Sequence, residues 1–217
     1  MTQPIISLDL RAYIAKHKKE IEEEAKILID KCGSDFDVFF WRQHFDVFLR
    51  TEILPFRQPD SKRNGILANS YWETKHPFNF PGPFYTGESD TCATGDIEAP
   101  NNVMYDENTK EFIFRQPQSF EDLVGVVDAA AVEVFGSYSC DGNIFWTYSK
   151  CKEWWQNRFD YIFEMNKADA KKVNGDRFVL FENYLKGTAE IDLKKYCYFL
   201  ENGNYPKLDI ASLPPLD

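Results

Sequence analysis

Cys92 stands between Thr91 and Ala93 in a stretch flanked by Gly87 and Gly95, with His76 sixteen residues earlier and Asp90 and Asp96 close by. A thiol, an imidazole and a carboxylate are the parts of a cysteine-dependent hydrolase or transferase, with Cys92 as nucleophile and His76 as base. Such a group is recognised by geometry, and a structural cysteine is the simpler reading. A zinc site would draw on His76, Cys92 and Cys140, which have no tight spacing. Glu88, Asp90, Asp96 and Glu98 could face a hard cation, but GESDTCATGD does not follow the ligand order of a calcium loop. Asp90 and Thr91 read instead as turn caps, and Glu88 and Glu98 as solvated. The glycines of 82–87 and 136–142 follow no parallel strand, so they build no phosphate cradle. With 35 acidic residues in the chain, any pair of carboxylates matches a glycosidase spacing and none is informative. The sequence names no catalytic residue, no metal and no cofactor.

Charge gives a direction that motifs do not. The chain has 217 residues, with 25 Lys plus Arg against 35 Asp plus Glu, a net charge of −10. Such a chain repels phosphate backbones and anionic lipid surfaces, which argues against nucleic-acid and membrane partners and for a basic protein. Aromatic residues make up 16% of it, too many for a disordered chain. The segment 71–102 combines aromatic and acidic side chains, and SYSCDGNIFWTYSKCKEWW, 137–155, sets polar turn residues against four large aromatics. The plain reading of the second segment is a capped turn over core aromatics. The sharper one is a patch shared by both segments, since Tyr and Trp anchors beside carboxylates suit a basic protein surface. Candidate contact residues are Glu88, Asp90, Asp96, Glu98, Asp141, Tyr85 and Trp146.

The elements that must position these residues are mainly helical. Leu10, Ile14, His17, Ile21, Ala25, Leu28 and Cys32 recur three or four apart and predict a helix over 8–32. Ser34 with Asp37 signals a second helix through Arg50, ended near Pro55 and apolar over more than half its circumference. His44, among its aromatics, reads as a packed or surface histidine. Residues 55–100 hold six of the 11 prolines and lose helical periodicity, which predicts a long ordered loop. VMY and EFIFR around DENTK predict one β-hairpin over 103–115. Ser119 with Asp122 opens a small-residue helix to Phe135, expected to be the most buried. Further helices are expected over 147–172, 176–186 and 190–200, with 207–217 as a surface arm. The expectation is one domain over 1–217, mainly α (α+β), of about six helices.

Five scattered cysteines without a CxxC pair fit a reduced compartment. The first twenty residues lack the marks of a secretory signal, and no run of about 18 apolar residues is present, so a soluble, cytoplasmic protein is expected. The run NFPGPFYTGESDTCATGDIEAPNNV, then EFIFRQP, then AAAVEVFGSYSCDGNIFWTYSKCKEWWQNR, resembles bacterial proteins of this size associated with immunity proteins that neutralise polymorphic or contact-dependent toxins. The resemblance covers about 41–158. It implies a cytosolic inhibitor that docks on a toxin domain, and it transfers no specific binding residue.

Overall fold

The computed structural model describes residues 10–57, 65–206 and 212–216. Mainly helical structure surrounds two small antiparallel sheets of two strands each. Helix α1 runs Leu10–Cys32, and Gly33 at φ +90° ends it in a conformation that costs glycine little. Of the expected arm, residues 207–211 and 217 lie outside the described residues, as do 8 and 9 of the first helix.

The expected second helix divides. Asp35, rather than Ser34, caps α2 (Phe36–Phe40), its carboxylate accepting the Val38 N–H at 3.1 Å. Arg42 donates to the Phe39 carbonyl, which serves a C-terminal group left without a helical partner. His44 turns the chain at φ +55° into α3 (Phe45–Phe48), a π-helical turn over Leu49–Ile53 and α4 (Leu54–Arg57). Pro55 therefore sits inside helical structure, just past a turn whose wider bonding, Leu54 N–H to Leu49 carbonyl, has already left the α pattern.

The stretch 65–100 contributes β1 (Tyr85–Thr86) and α5 (Gly95–Glu98). The hairpin forms as expected, β2 (Val103–Tyr105) pairing with β3 (Glu111–Ile113) in the register Met104 opposite Phe112. Ser119 caps α6 (Phe120–Val132) through the Asp122 N–H, and the helix stops three residues short of Phe135. A second sheet, absent from the sequence reading, pairs β1 with β4 (Tyr138–Ser139), Thr86 lying opposite Tyr138.

The expected single helix after Thr147 is three, and a short one, α7 (Gly142–Phe145), precedes them. Thr147 caps α8 (Tyr148–Gln156), Asn157 separates it from α9 (Arg158–Met165), and Lys167, extended, leads into α10 (Ala168–Asn174). The last two helices are α11 (Val179–Lys186) and α12 (Ala189–Asn202), the latter ended by Gly203 at φ +72°.

Two apolar clusters hold these elements. One joins α1, α2, α3 and α6 around Leu28, Phe39, Phe40, Phe45 and Val124; Phe39 lies 4.9 Å from Phe120 between ring centroids. The other joins the hairpin to the later helices through Phe112, Trp154, Phe181 and Tyr196. Trp41 packs against both, stacked on Tyr205 at 4.8 Å.

Asn79 binds the loop to both sheets. Its side-chain oxygen accepts the N–H groups of Thr86 and Ile113 at 3.1 and 2.8 Å, and its amide donates to the carbonyls of His76 and Thr86. An irregular segment can be buried only when its backbone groups are paired in this way.

Candidate functional site

The loop carboxylates expected on a docking surface turn largely inward. Tyr85, Asp90, Glu98, Asp141 and Trp146 are buried. Tyr85 donates its hydroxyl to Asp141 at 2.7 Å, and burial pushes its pKa up to about 12. Trp146 packs edge-on against Trp72 with the Lys75 ammonium 4.9 Å from its ring centre. Asp96 is half-buried, accepting from Arg177 at 2.5 Å and from the Tyr105 hydroxyl at 2.7 Å. Of the seven, Glu88 alone is exposed.

Asp90 belongs to an internal carboxylate network. Its N–H donates to Glu133, while its own oxygens accept from the N–H groups of Cys92 and Val134. Burial pushes the Asp90 pKa up, but those two backbone donors outweigh it and the net shift is downward. Glu111 accepts the Gly95 N–H at 2.9 Å and the Tyr138 hydroxyl at 2.6 Å. For this fully buried carboxyl, desolvation wins and, with Asp90 and Glu133 nearby, raises its pKa to about 7. The network fastens the 88–95 loop to the hairpin and to the segment after α6.

Among the described residues no hydrogen bond joins Cys92 to His76. Cys92 is exposed, but the adjacent Asp90 carboxylate raises its thiol pKa, the opposite of nucleophile activation. Both His76 nitrogens are engaged elsewhere: Nδ1 accepts the Phe78 N–H at 3.2 Å and Nε2 faces Asp106 at 3.4 Å. The imidazole also stacks on Phe112, centroids 5.2 Å apart. Cys140, the third zinc candidate, is buried and its thiol is pushed up to about 12 by desolvation.

A different place on the molecule gathers charge around a cleft. Helices α1 and α6 pack together with α5 against α6, and between them lies a cavity of about 420 Å³. Its α1 wall presents Ile14, His17, Ile21 and Glu22; its α6 wall presents Glu121, Asp122 and Gly125; Ile97 and Glu98 of α5 close one side. The lining carries four carboxylates against His17 and Lys18.

Gly125 makes the arrangement possible. A Cβ there would lie 2.7 Å from the Glu98 carbonyl oxygen, so only glycine lets α5 come this close. Glu98 is thereby brought against α6, where its carboxylate meets His17 Nε2. Asp128 stands one turn beyond Gly125. The ligand atoms of His17, Glu98 and Asp128 all lie within 4.8 Å of one another, the one such group of three among the described residues.

Along α6, Glu121, Gly125, Asp128 and Val132 recur at i, i+4, i+7 and i+11 and form one stripe. Beyond its end Val134 and Phe135 are 71% and 65% exposed, held in place by the Val134 N–H bond to Asp90. The sequence reading missed this surface because it placed His17 on an apolar helix face and treated α6 as buried all round. The spacing of Glu121, Gly125 and Asp128 was the available signal.

Compared with protein-family models, curated proteins and solved structures, the chain matches none. No helix among the described residues is long and apolar enough to cross a membrane.

Proposed function

We propose that the protein binds a basic protein domain and neutralises it, acting as an immunity protein toward a toxin. The observation that carries this reading is the acidic cleft between α1 and α6, continued along α6 by Asp128 and ending at the exposed Val134 and Phe135. Exposed carboxylates such as Glu22 and Glu121 would steer a cationic partner, since opposite charge raises association rate more than it raises final affinity. Phe135 supplies an aromatic anchor, the kind of side chain that carries interface energy once water is excluded. Glu88 lies on the loop that the Asp90 bonds to Glu133 and Val134 tie to this segment, so the one exposed member of the expected contact set belongs to the same region. The net charge of −10 and the resemblance to toxin-immunity proteins point the same way.

Co-purification with the product of a neighbouring gene tests the proposal. A basic toxin domain should be retained, with an association rate that falls steeply with salt. Glu22→Lys with Glu121→Lys should slow association at low salt, and Phe135→Ala should speed dissociation. Failure of any neighbouring toxin domain to bind at micromolar concentration would remove the reading.

A further inference from the structure

We infer that His17, Glu98 and Asp128 form a divalent-cation site with open coordination positions facing the cleft. The three side chains come from three different helices, α1, α5 and α6, and converge with all ligand atoms within 4.8 Å of one another. Zinc holds imidazole nitrogen and carboxylate oxygen at roughly 2.0–2.2 Å, which sets ligand atoms about 3.3 Å apart in a tetrahedron. His17 Nε2 and Glu98 are in direct contact, so a bound ion must part that pair and draw the Asp128 carboxylate in.

Glu98 is 5% exposed, and a cation shared by all three groups would offset repulsion between its carboxylate and that of Asp128. The His17 ring is also oriented as a ligand would be. Its Nε2 points to the cluster, while Nδ1 faces away from it toward the Glu20 carboxylate, 3.9 Å distant and beyond hydrogen-bond length.

One imidazole with two carboxylates suits Zn²⁺ or Mn²⁺ better than a soft ion such as Cu⁺. Access comes from the cleft itself, whose lining includes both His17 and Glu98. Three protein ligands leave at least one position for water or for a group from a bound molecule. Gly125 has a defined part here, because a side chain at that position would push Glu98 away from Asp128. The site does not depend on whether the partner is a toxin.

Isothermal titration of the full chain with ZnCl₂ tests the inference, with MnCl₂ as a second probe that thiols bind poorly. The expected result is saturable uptake of both ions, including one equivalent lost in Asp128→Asn, with affinity at the site reduced by about ten-fold or more. Asp128 is only half-buried and its replacement by asparagine keeps shape, so this variant should fold; circular dichroism checks that it does. His17→Gln should behave in the same way. Absence of uptake by the wild-type chain overturns the inference, and so does a folded Asp128→Asn that binds Mn²⁺ as tightly as the wild type.

Discussion

Replacing Glu111 by Gln should stabilise the protein at neutral and alkaline pH and leave it nearly unchanged at pH 5. Folded Glu111 has its pKa raised to about 7 from 4.5, chiefly by desolvation. Between those values the native state holds a proton that the unfolded chain has released. Native stability therefore falls as pH rises from about 4.5 to 7 and levels off above, where the buried carboxylate is charged in both states. A gap of about two and a half units, at about 1.4 kcal/mol each, amounts to roughly 3 kcal/mol. Glutamine removes the charge and keeps both contacts, since its oxygen can accept the Gly95 N–H and its amide can donate to the Tyr138 oxygen. Urea denaturation from pH 5 to 8.5 measures the difference. The wild-type curve should slope downward through pH 7, and the variant should exceed it by about 2–3 kcal/mol at pH 8. In thermal unfolding that gain corresponds to roughly 5–10 °C. Asp90 and Asp106, whose pKa values are lowered, add stability lost toward acid, but they do so in both proteins and cancel in the comparison. Parallel wild-type and variant profiles, or a variant less stable at pH 8, would refute the reasoning.

Gly125→Ala should lower the melting temperature by about 4 °C, because a clash with the Glu98 carbonyl outweighs the better helix propensity of alanine. Differential scanning calorimetry checks it, and an unchanged transition would show that α5 can shift freely. Asn79→Ala should cost about 3–5 kcal/mol in urea denaturation, since it strips acceptors from the buried Thr86 and Ile113 N–H groups; a loss below about 1 kcal/mol would contradict this. Cys92 should react with iodoacetamide more slowly than free cysteine at pH 8, and Asp90→Asn should speed it; mass mapping of the alkylated peptide reads both.

Several elements were legible because their signals are local. The 3.6-residue recurrence through α1, the Ser119 and Thr147 caps and the alternation in β2 and β3 depend on neighbours within a few positions. Breaks were less visible. The turn at His44 uses a positive φ that no residue type announced, and the helices α8, α9 and α10 divide at Asn157 and Lys167, where composition stays helical. Within the expected contact set, residue type suggested exposure for Asp90, Glu98 and Asp141. Their burial depends on partners such as Val134, His17 and Tyr85, which are 44, 81 and 56 positions away.

By itself the sequence determined the mainly helical class, the hairpin and the net charge of −10, since each follows from composition or short-range pattern. Tertiary structure alone decided which carboxylates are buried and which stay exposed. A carboxylate is stable inside when backbone N–H groups or an imidazole meet it and is otherwise driven to water, and those partners arrive from distant parts of the chain. Packing of α5 on Gly125 brought Glu98 to His17 and Asp128, and the acidic cleft lies beside them.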